Sequence, residues 1–204
     1  MLAVGRAKGP NYIIPFRRKR EGRTDYRLRY ALLKSGKPLF IVRRSNRYVT
    51  VSIAIPEVGG DRTLFTVSSK VLASKYGWKA GLKNTPAAYL TGLIAGRKAI
   101  EMGIKEAIIN LGYAWSKKAS IPFAAAMGAR DAGLNIPIGE KALVNESRIR
   151  GEHIAEYARI LKERDIEEFK KRFSDYLRRG MDPEDIPKMF EEVKNMILGG
   201  GDSG

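Results

Sequence analysis

Residues 39–55, Leu39-Phe40-Ile41-Val42-Arg43-Arg44-Ser45-Asn46-Arg47-Tyr48-Val49-Thr50-Val51-Ser52-Ile53-Ala54-Ile55, hold two apolar runs divided by a short polar break. The runs Leu39 to Arg44 and Arg47 to Ile55 read as strands, with Ser45-Asn46 as the turn between them. In the second run Tyr48, Thr50, Ser52 and Ala54 alternate with Val49, Val51, Ile53 and Ile55. Side chains on a strand alternate between faces, so one face is aliphatic and the other rich in hydroxyls. The hydroxyl face is expected to be half exposed and open to a ligand. Beyond Pro56, Gly59 and Gly60, Leu64 to Ser68 reads as a third strand.

Outward from these strands the pattern turns helical. Before them, Tyr26, Tyr30 and Leu33 share a helical spacing, with Thr24 as the expected N-cap and Gly36 closing the helix ahead of Pro38. After them comes a short helix from Val71 to Tyr76, ended at Gly77. A long one follows from Thr85 or Pro86 to Met102, with Gly103 beyond it. Ala107 to Leu111 reads as a buried strand and Pro122 to Ala132 as a helix ended by Gly133. Strands joined through helices imply parallel pairing as well as the antiparallel start. The expected fold is therefore α/β: a mixed sheet beginning with antiparallel strands and packed by helices. It carries a basic N-terminal extension and a helical C-terminal region, with helices at Ile154 to Arg164, Ile166 to Arg179 and Pro183 to Leu198. The expected organisation is an extended arm over 1–23, a core over 24–150, a helical region over 151–198 and a flexible tail over 199–204. No internal repeat is visible.

Charge narrows the function. The 204 residues carry 38 Lys and Arg against 22 Asp and Glu, a net charge of +16, which calls for a polyanionic partner. Residues 1–50 alone hold +12, whereas residues 151–204 are mildly acidic. The arm around Arg17, Arg18, Lys19, Arg20 and Arg23 suits phosphate contact, because guanidinium groups match phosphate oxygens bidentately. A merely solvated or targeting segment is the alternative. In Lys34-Ser35-Gly36-Lys37-Pro38 and Arg43-Arg44-Ser45-Asn46-Arg47-Tyr48, cations sit at turns beside polar groups and a stackable ring. The alternative there is an edge strand blunted by charge. Gly77-Trp78-Lys79 and Lys83-Asn84-Thr85 precede the long helix, where Trp78 is either a base-stacking ring or core.

Other classes find little support. With no cysteine there is no disulfide framework, so a reducing, cytoplasmic location is expected. No signal-like apolar segment or membrane-length run is present. Gly92-Leu93-Ile94-Ala95-Gly96 has the small-residue spacing of membrane helix pairs, but Arg97-Lys98 follow it, so close helix-to-sheet packing is expected instead. The single histidine, His153, has no second His or Cys for a metal, and a structural or RNA-contacting role is expected of it. No phosphate-binding or dinucleotide-binding glycine motif occurs, and no cofactor or catalytic site is expected.

Several of these segments also resemble one family. Tyr26-Arg27-Leu28-Arg29, Leu32-Leu33-Lys34-Ser35-Gly36-Lys37-Pro38 and Val42-Arg43-Arg44-Ser45-Asn46 are similar to the opening of universal large-subunit ribosomal protein eighteen in its archaeal and eukaryotic form. So are Gly77-Trp78-Lys79, the run from Asn84 to Ala99, Asp131-Ala132-Gly133-Leu134 with Ile136-Pro137, and Arg148 to Ile154. The likeness spans most of residues 10–160, and Ala87-Ala88-Tyr89-Leu90-Thr91-Gly92-Leu93 is its strongest piece. It implies 5S rRNA as partner, anchored in the central protuberance near 23S-type rRNA and the fifth universal large-subunit protein. It also implies a location in the ribosome. Charge and spacing alone do not name that RNA. Together with the basic segments, the resemblance gives the candidate RNA-binding residues: Arg17, Arg18, Lys19, Arg20, Arg23, Tyr26, Arg29, Lys34, Lys37, Arg43, Arg44, Ser45, Asn46, Arg47, Tyr48, Trp78, Lys79, Lys83 and Asn84. The chain departs from the family at Asn110, where an acidic residue is frequent, and at Ile138, where a histidine is frequent.

Overall fold

A computed structural model describes residues 9–112 and 118–199. The first eight residues of the expected arm therefore lie outside the described residues, as does the expected tail apart from Gly199. Strands β1 (Leu39–Arg44), β2 (Val49–Ile55), β3 (Arg62–Ser68) and β4 (Ile108–Asn110) form one sheet in the order β3-β2-β1-β4. The β1–β2 and β2–β3 pairs are antiparallel, while β4 runs parallel to β1. The mixed sheet with an antiparallel start is thus as the sequence implies. Val49, Val51 and Ile53 point into the core with Phe40 and Val42, and Ser52 faces outward, its hydroxyl 2.9 Å from that of Thr66. The alternation lapses at the end of β2, where a register shift between Ile53 and Ala54 leaves Ala54 buried and Ile55 partly exposed.

Helix α1 (Arg17–Arg20) is a single turn, and α2 (Tyr26–Ser35) ends at Gly36, whose φ of 64° suits a residue without Cβ. The cap of α2 is Asp25 rather than the expected Thr24: its carboxylate accepts from the Arg27 and Leu28 amides at 3.0 and 3.2 Å. Thr24 instead accepts from Arg18 Nε at 2.8 Å. Helix α3 (Lys70–Lys75) leads through Gly77 to α4 (Thr85–Glu101), and α5 (Ile121–Asp131) follows β4.

Eleven of the 17 residues of α4 are buried, because it touches structure on every side. It packs on β2 and β3, on α5, and on two later helices, α6 (Glu146–Arg150) and α10 (Ile186–Gly199). Its glycines serve a helix–helix contact, not the expected helix–sheet contact. A Cβ on Gly92 would lie 1.9 Å from the Ala125 carbonyl oxygen, and one on Gly96 would lie 2.7 Å from that of Ala129. From the other side, a Cβ on Gly128 would meet the Tyr89 carbonyl at 2.1 Å. Small residues on both helices let the two backbones touch.

Helix α7 (Glu152–Arg164) follows α6 directly across Gly151, and α6 itself was not foreseen. The helix expected over 166–179 is two, α8 (Ile166–Arg172) and α9 (Ser174–Arg178), broken at Phe173. That ring is buried, with centroids 5.4 Å from Phe169 and 5.6 Å from Tyr176. Ala158, Leu161, Phe169 and Phe173 thereby make a small second cluster. The region beyond 150 is not packed as a unit apart, since Ile186, Phe190, Val193 and Ile197 of α10 belong to the main core. The Phe190 ring sits 5.5 Å from that of Tyr89 on α4. Each such side chain contributes about 1.5–3 kcal/mol on burial, a large share of the ~5–15 kcal/mol that holds a domain folded.

Two outcomes follow for stability. Gly92→Ala should lower the denaturant midpoint by an amount equivalent to about 3 kcal/mol, although alanine is otherwise favoured in a helix by ~1 kcal/mol. An unchanged or raised midpoint would contradict the backbone contact. Phe190→Ala should cost about 3–5 kcal/mol in the same measurement, and a two-step transition with α10 melting first would show it to be separable from the core.

Candidate nucleic-acid interface

The basic N-terminal segment is not uniformly extended, as expected, but winds one turn at Arg17–Arg20, whose four side chains are all exposed. The turn closes because the Arg20 amide donates to the Phe16 carbonyl at 3.0 Å, while Glu21 draws in Arg17 at 3.6 Å and Arg23 at 3.1 Å. The Phe16 ring lies 5.0 Å from that of Tyr26, tying the segment to α2. Tyr26 is half-buried by this contact.

Behind this turn, Arg18, Arg23, Arg29 and Arg43 line one pocket of about 160 Å³ together with Asp25 and Asp61. Arg18 and Arg23 meet near neighbours, Thr24 and Glu21, whereas the other two are tied to distant parts of the chain. Arg29 binds Asp61 at 2.9 Å and the Glu57 carbonyl at 2.7 Å, which staples α2 to the β2–β3 connection. Arg43 donates to the carbonyls of Val42 and Asn110, both at 3.0 Å, and so locks the β1–β4 edge. Burial draws the Arg43 guanidinium below its ordinary pKa, partly offset by Asp61. Asn110, the departure noted above, uses its side-chain oxygen to accept from the Gly112 amide at 2.9 Å.

The outer face of the sheet begins at Arg43. Register places Arg43 beside Thr50 and Ser68 in one row, and Ile41 beside Ser52 and Thr66 in the next. Hydroxyl groups next to a guanidinium can contact phosphates and sugar hydroxyls without reading bases. Arg44, Asn46 and Arg47 are exposed at the β1–β2 turn. Ser45 is spent within that turn, its hydroxyl accepting from the Tyr48 amide at 3.0 Å. Lys34 is exposed at the end of α2, whereas Lys37 is held by Glu106 at 2.6 Å.

Trp78 is a correction. It is 1% exposed in the main core, with its Nε1 donating to the Gly81 carbonyl at 3.3 Å, so it offers no face to a base. An apolar ring after a glycine reads alike whether it turns in or out, and only the surrounding helices decide. Lys79 beside it is exposed. Asn84 caps α4, accepting from the Ala87 amide at 2.9 Å. This occupies one of the donors offered to a phosphate at that helix start.

A second groove gathers the rest. Asn46, Arg47 and Tyr48 line it with Lys83 and Asn84, and so do Arg178, the last residue of α9, and Arg179 just beyond it. The two C-terminal arginines stand outside the segments that sequence pattern singles out. Their only sequence signal is a basic pair before a helix-ending glycine, within a region of net acidic charge. His153, half-buried, has its pKa lowered by burial and by Arg148, and its buried Nδ1 has no hydrogen-bonding partner among the described residues. Among the described residues no cluster of three or more His, Cys, Asp or Glu side chains could hold a metal ion, and no helix is long and apolar enough to cross a membrane.

This surface belongs to a known lineage. Residues 10–108 match the family described as ribosomal large subunit proteins 60S L5 and 50S L18. The chain is 49% identical over 192 residues to large ribosomal subunit protein uL18 of Desulfurococcus amylolyticus, covering 94% of this chain and 97% of that one. It is 45% identical over 192 residues to the uL18 of Staphylothermus marinus, covering 94% and 95%. To that of Methanothermobacter thermautotrophicus it is 49% identical over 191 residues, covering 94% and 97%. Identity at this level along nearly the whole length of each relative places the chain in the uL18 family of large ribosomal subunit proteins.

Proposed function

We propose that this uL18-family chain, a non-catalytic structural constituent of the large ribosomal subunit, binds 5S rRNA and helps anchor it in the central protuberance. Its neighbours there would be 23S-type rRNA and the fifth universal large-subunit protein. The observation that carries the reading is the joining of the exposed basic turn at Arg17–Arg20 to the arginine-lined pocket and the hydroxyl-bearing sheet face. Such a surface follows a folded RNA by its backbone and 2′-hydroxyls, with cations matched to phosphates and no deep cleft required for chemistry.

The cations divide the work. Arg29, Lys37 and Arg43 hold the scaffold through their own protein partners. Lys19, Arg20, Arg44 and Arg47 are exposed and, among the described residues, have no ion pair to give up before meeting RNA. The pairs of Arg17 and Arg23 with Glu21 are themselves exposed, and such pairs are worth at most about 1 kcal/mol, so they exchange readily for phosphate.

Affinity for 5S rRNA should fall steeply with salt, by roughly 0.7–0.9 log units per log unit of salt for each phosphate neutralised. A slope near zero, or equal affinity for unrelated folded RNAs and duplex DNA, would argue decisively against a dedicated 5S site. Removal of residues 1–23 tests the arm separately. The truncated protein should lose most of its RNA affinity while its thermal transition stays nearly in place, because Arg17–Arg20 buries no residue, and the Phe16 ring that meets Tyr26 is itself exposed. Failure of the truncated chain to fold would show the arm to be structural.

A further inference from the structure

We infer that the groove between the β1–β2 turn, the loop before α4 and the end of α9 is a second RNA-backbone site, to which the C-terminal region contributes Arg178 and Arg179. The inference rests on the RNA-binding reading above and adds to it the C-terminal side of the groove, Asp175 to Arg179, which lies far along the chain from the basic N-terminal half. The groove encloses about 610 Å³, ample for a phosphate with its sugar. Arg47, Lys83, Arg178 and Arg179 line it, against the single carboxylate of Asp175. Asn46, Tyr48 and Asn84 add neutral hydrogen-bonding groups and one ring. Four cations beside amides and a tyrosine suit a sugar-phosphate chain.

The groove is assembled, not incidental. Arg179 Nη1 donates to the carbonyls of Lys79 and Ala80, both at 3.2 Å, which clips the end of α9 to the loop. Gly81 permits the approach: a Cβ there would come within 2.9 Å of the Tyr176 hydroxyl. The side-chain nitrogen of Asn84 is buried and has no hydrogen-bonding partner among the described residues, so the wall retains an unsatisfied donor. Arg178 is the exposed member. Its side chain is 76% exposed and, among the described residues, pairs with Asp175, itself 62% exposed, and an exposed pair of this kind is weak. Arg178 can therefore leave the carboxylate for a phosphate while Arg179 keeps the groove in shape.

Arg178→Gln in the full-length chain tests this, with binding to 5S rRNA and to 23S-type rRNA fragments each measured across a salt series. The variant should bind about five- to tenfold more weakly near physiological salt, with a salt slope smaller by roughly 0.7–0.9 and an unchanged melting curve. Asp175→Asn, which frees the arginine, should tighten binding. Arg172→Gln removes the same charge from α8 outside the groove and should change affinity little. Wild-type affinity and slope in Arg178→Gln, or an equal loss in Arg172→Gln, would overturn the groove, as would a wild-type chain that binds neither RNA. A loss at Arg178 seen with 23S-type RNA, while the wild type ignores 5S rRNA, would uphold the groove and overturn the 5S assignment.

Discussion

The backbone-to-backbone contact of α4 with α5 is the constraint on which the remaining architecture depends. Carbonyls of one helix occupy the space that side chains at Gly92, Gly96 and Gly128 would need, so the two helices cannot be separated by even one methyl layer. With α5 so close, α4 is free to lie on the sheet along one side and to receive α6 and α10 along another. Tyr89 shows the consequence. Its ring meets Phe190, and its hydroxyl donates to Asp131 at 2.6 Å, so burial and that hydrogen bond raise its pKa far above the ordinary phenol value. One side chain of α4 thus joins the end of α5 to the last helix.

The same helix sets the basic surface. Its Asn84 cap fixes the end of the loop that carries Lys79 and Lys83. The sheet beneath it fixes which strand residues face outward. The cations of the N-terminal half are then sorted by what lies within reach. Arg29 and Arg43 find a carboxylate or carbonyls close by and become part of the frame, while Arg44 and Arg47, a few residues along the same hairpin, remain in solvent. Net charge describes the attraction to a polyanion, but partners within a few ångströms decide which groups remain to meet it.

The C-terminal third serves two ends. Helix α10 completes the main core, and α7 to α9 enclose the small aromatic cluster around Phe173. Breaking the chain at Phe173 turns α9 toward the loop at 79–81, where Arg179 is caught by two carbonyls. An acidic region by composition in this way delivers two arginines to the basic side of the molecule.

Features that depend on near neighbours along the chain are legible in the residue order. Strand alternation in β2 follows from the two-residue repeat of Val49, Val51 and Ile53, and the ends of α2, α4 and α5 follow from Gly36, Gly103 and Gly133, all at positive φ. The charge bias of the first fifty residues is likewise a property of composition. Only the tertiary structure decided that Trp78 is core, that Lys37 is matched by Glu106 and Arg29 by Asp61, and that Gly92 faces a helix. The second groove belongs with these, since it unites Arg47 with Arg178 from opposite ends of the chain. Such pairings depend on which surfaces meet once the core has closed around α4, and no local period or cap carries that information.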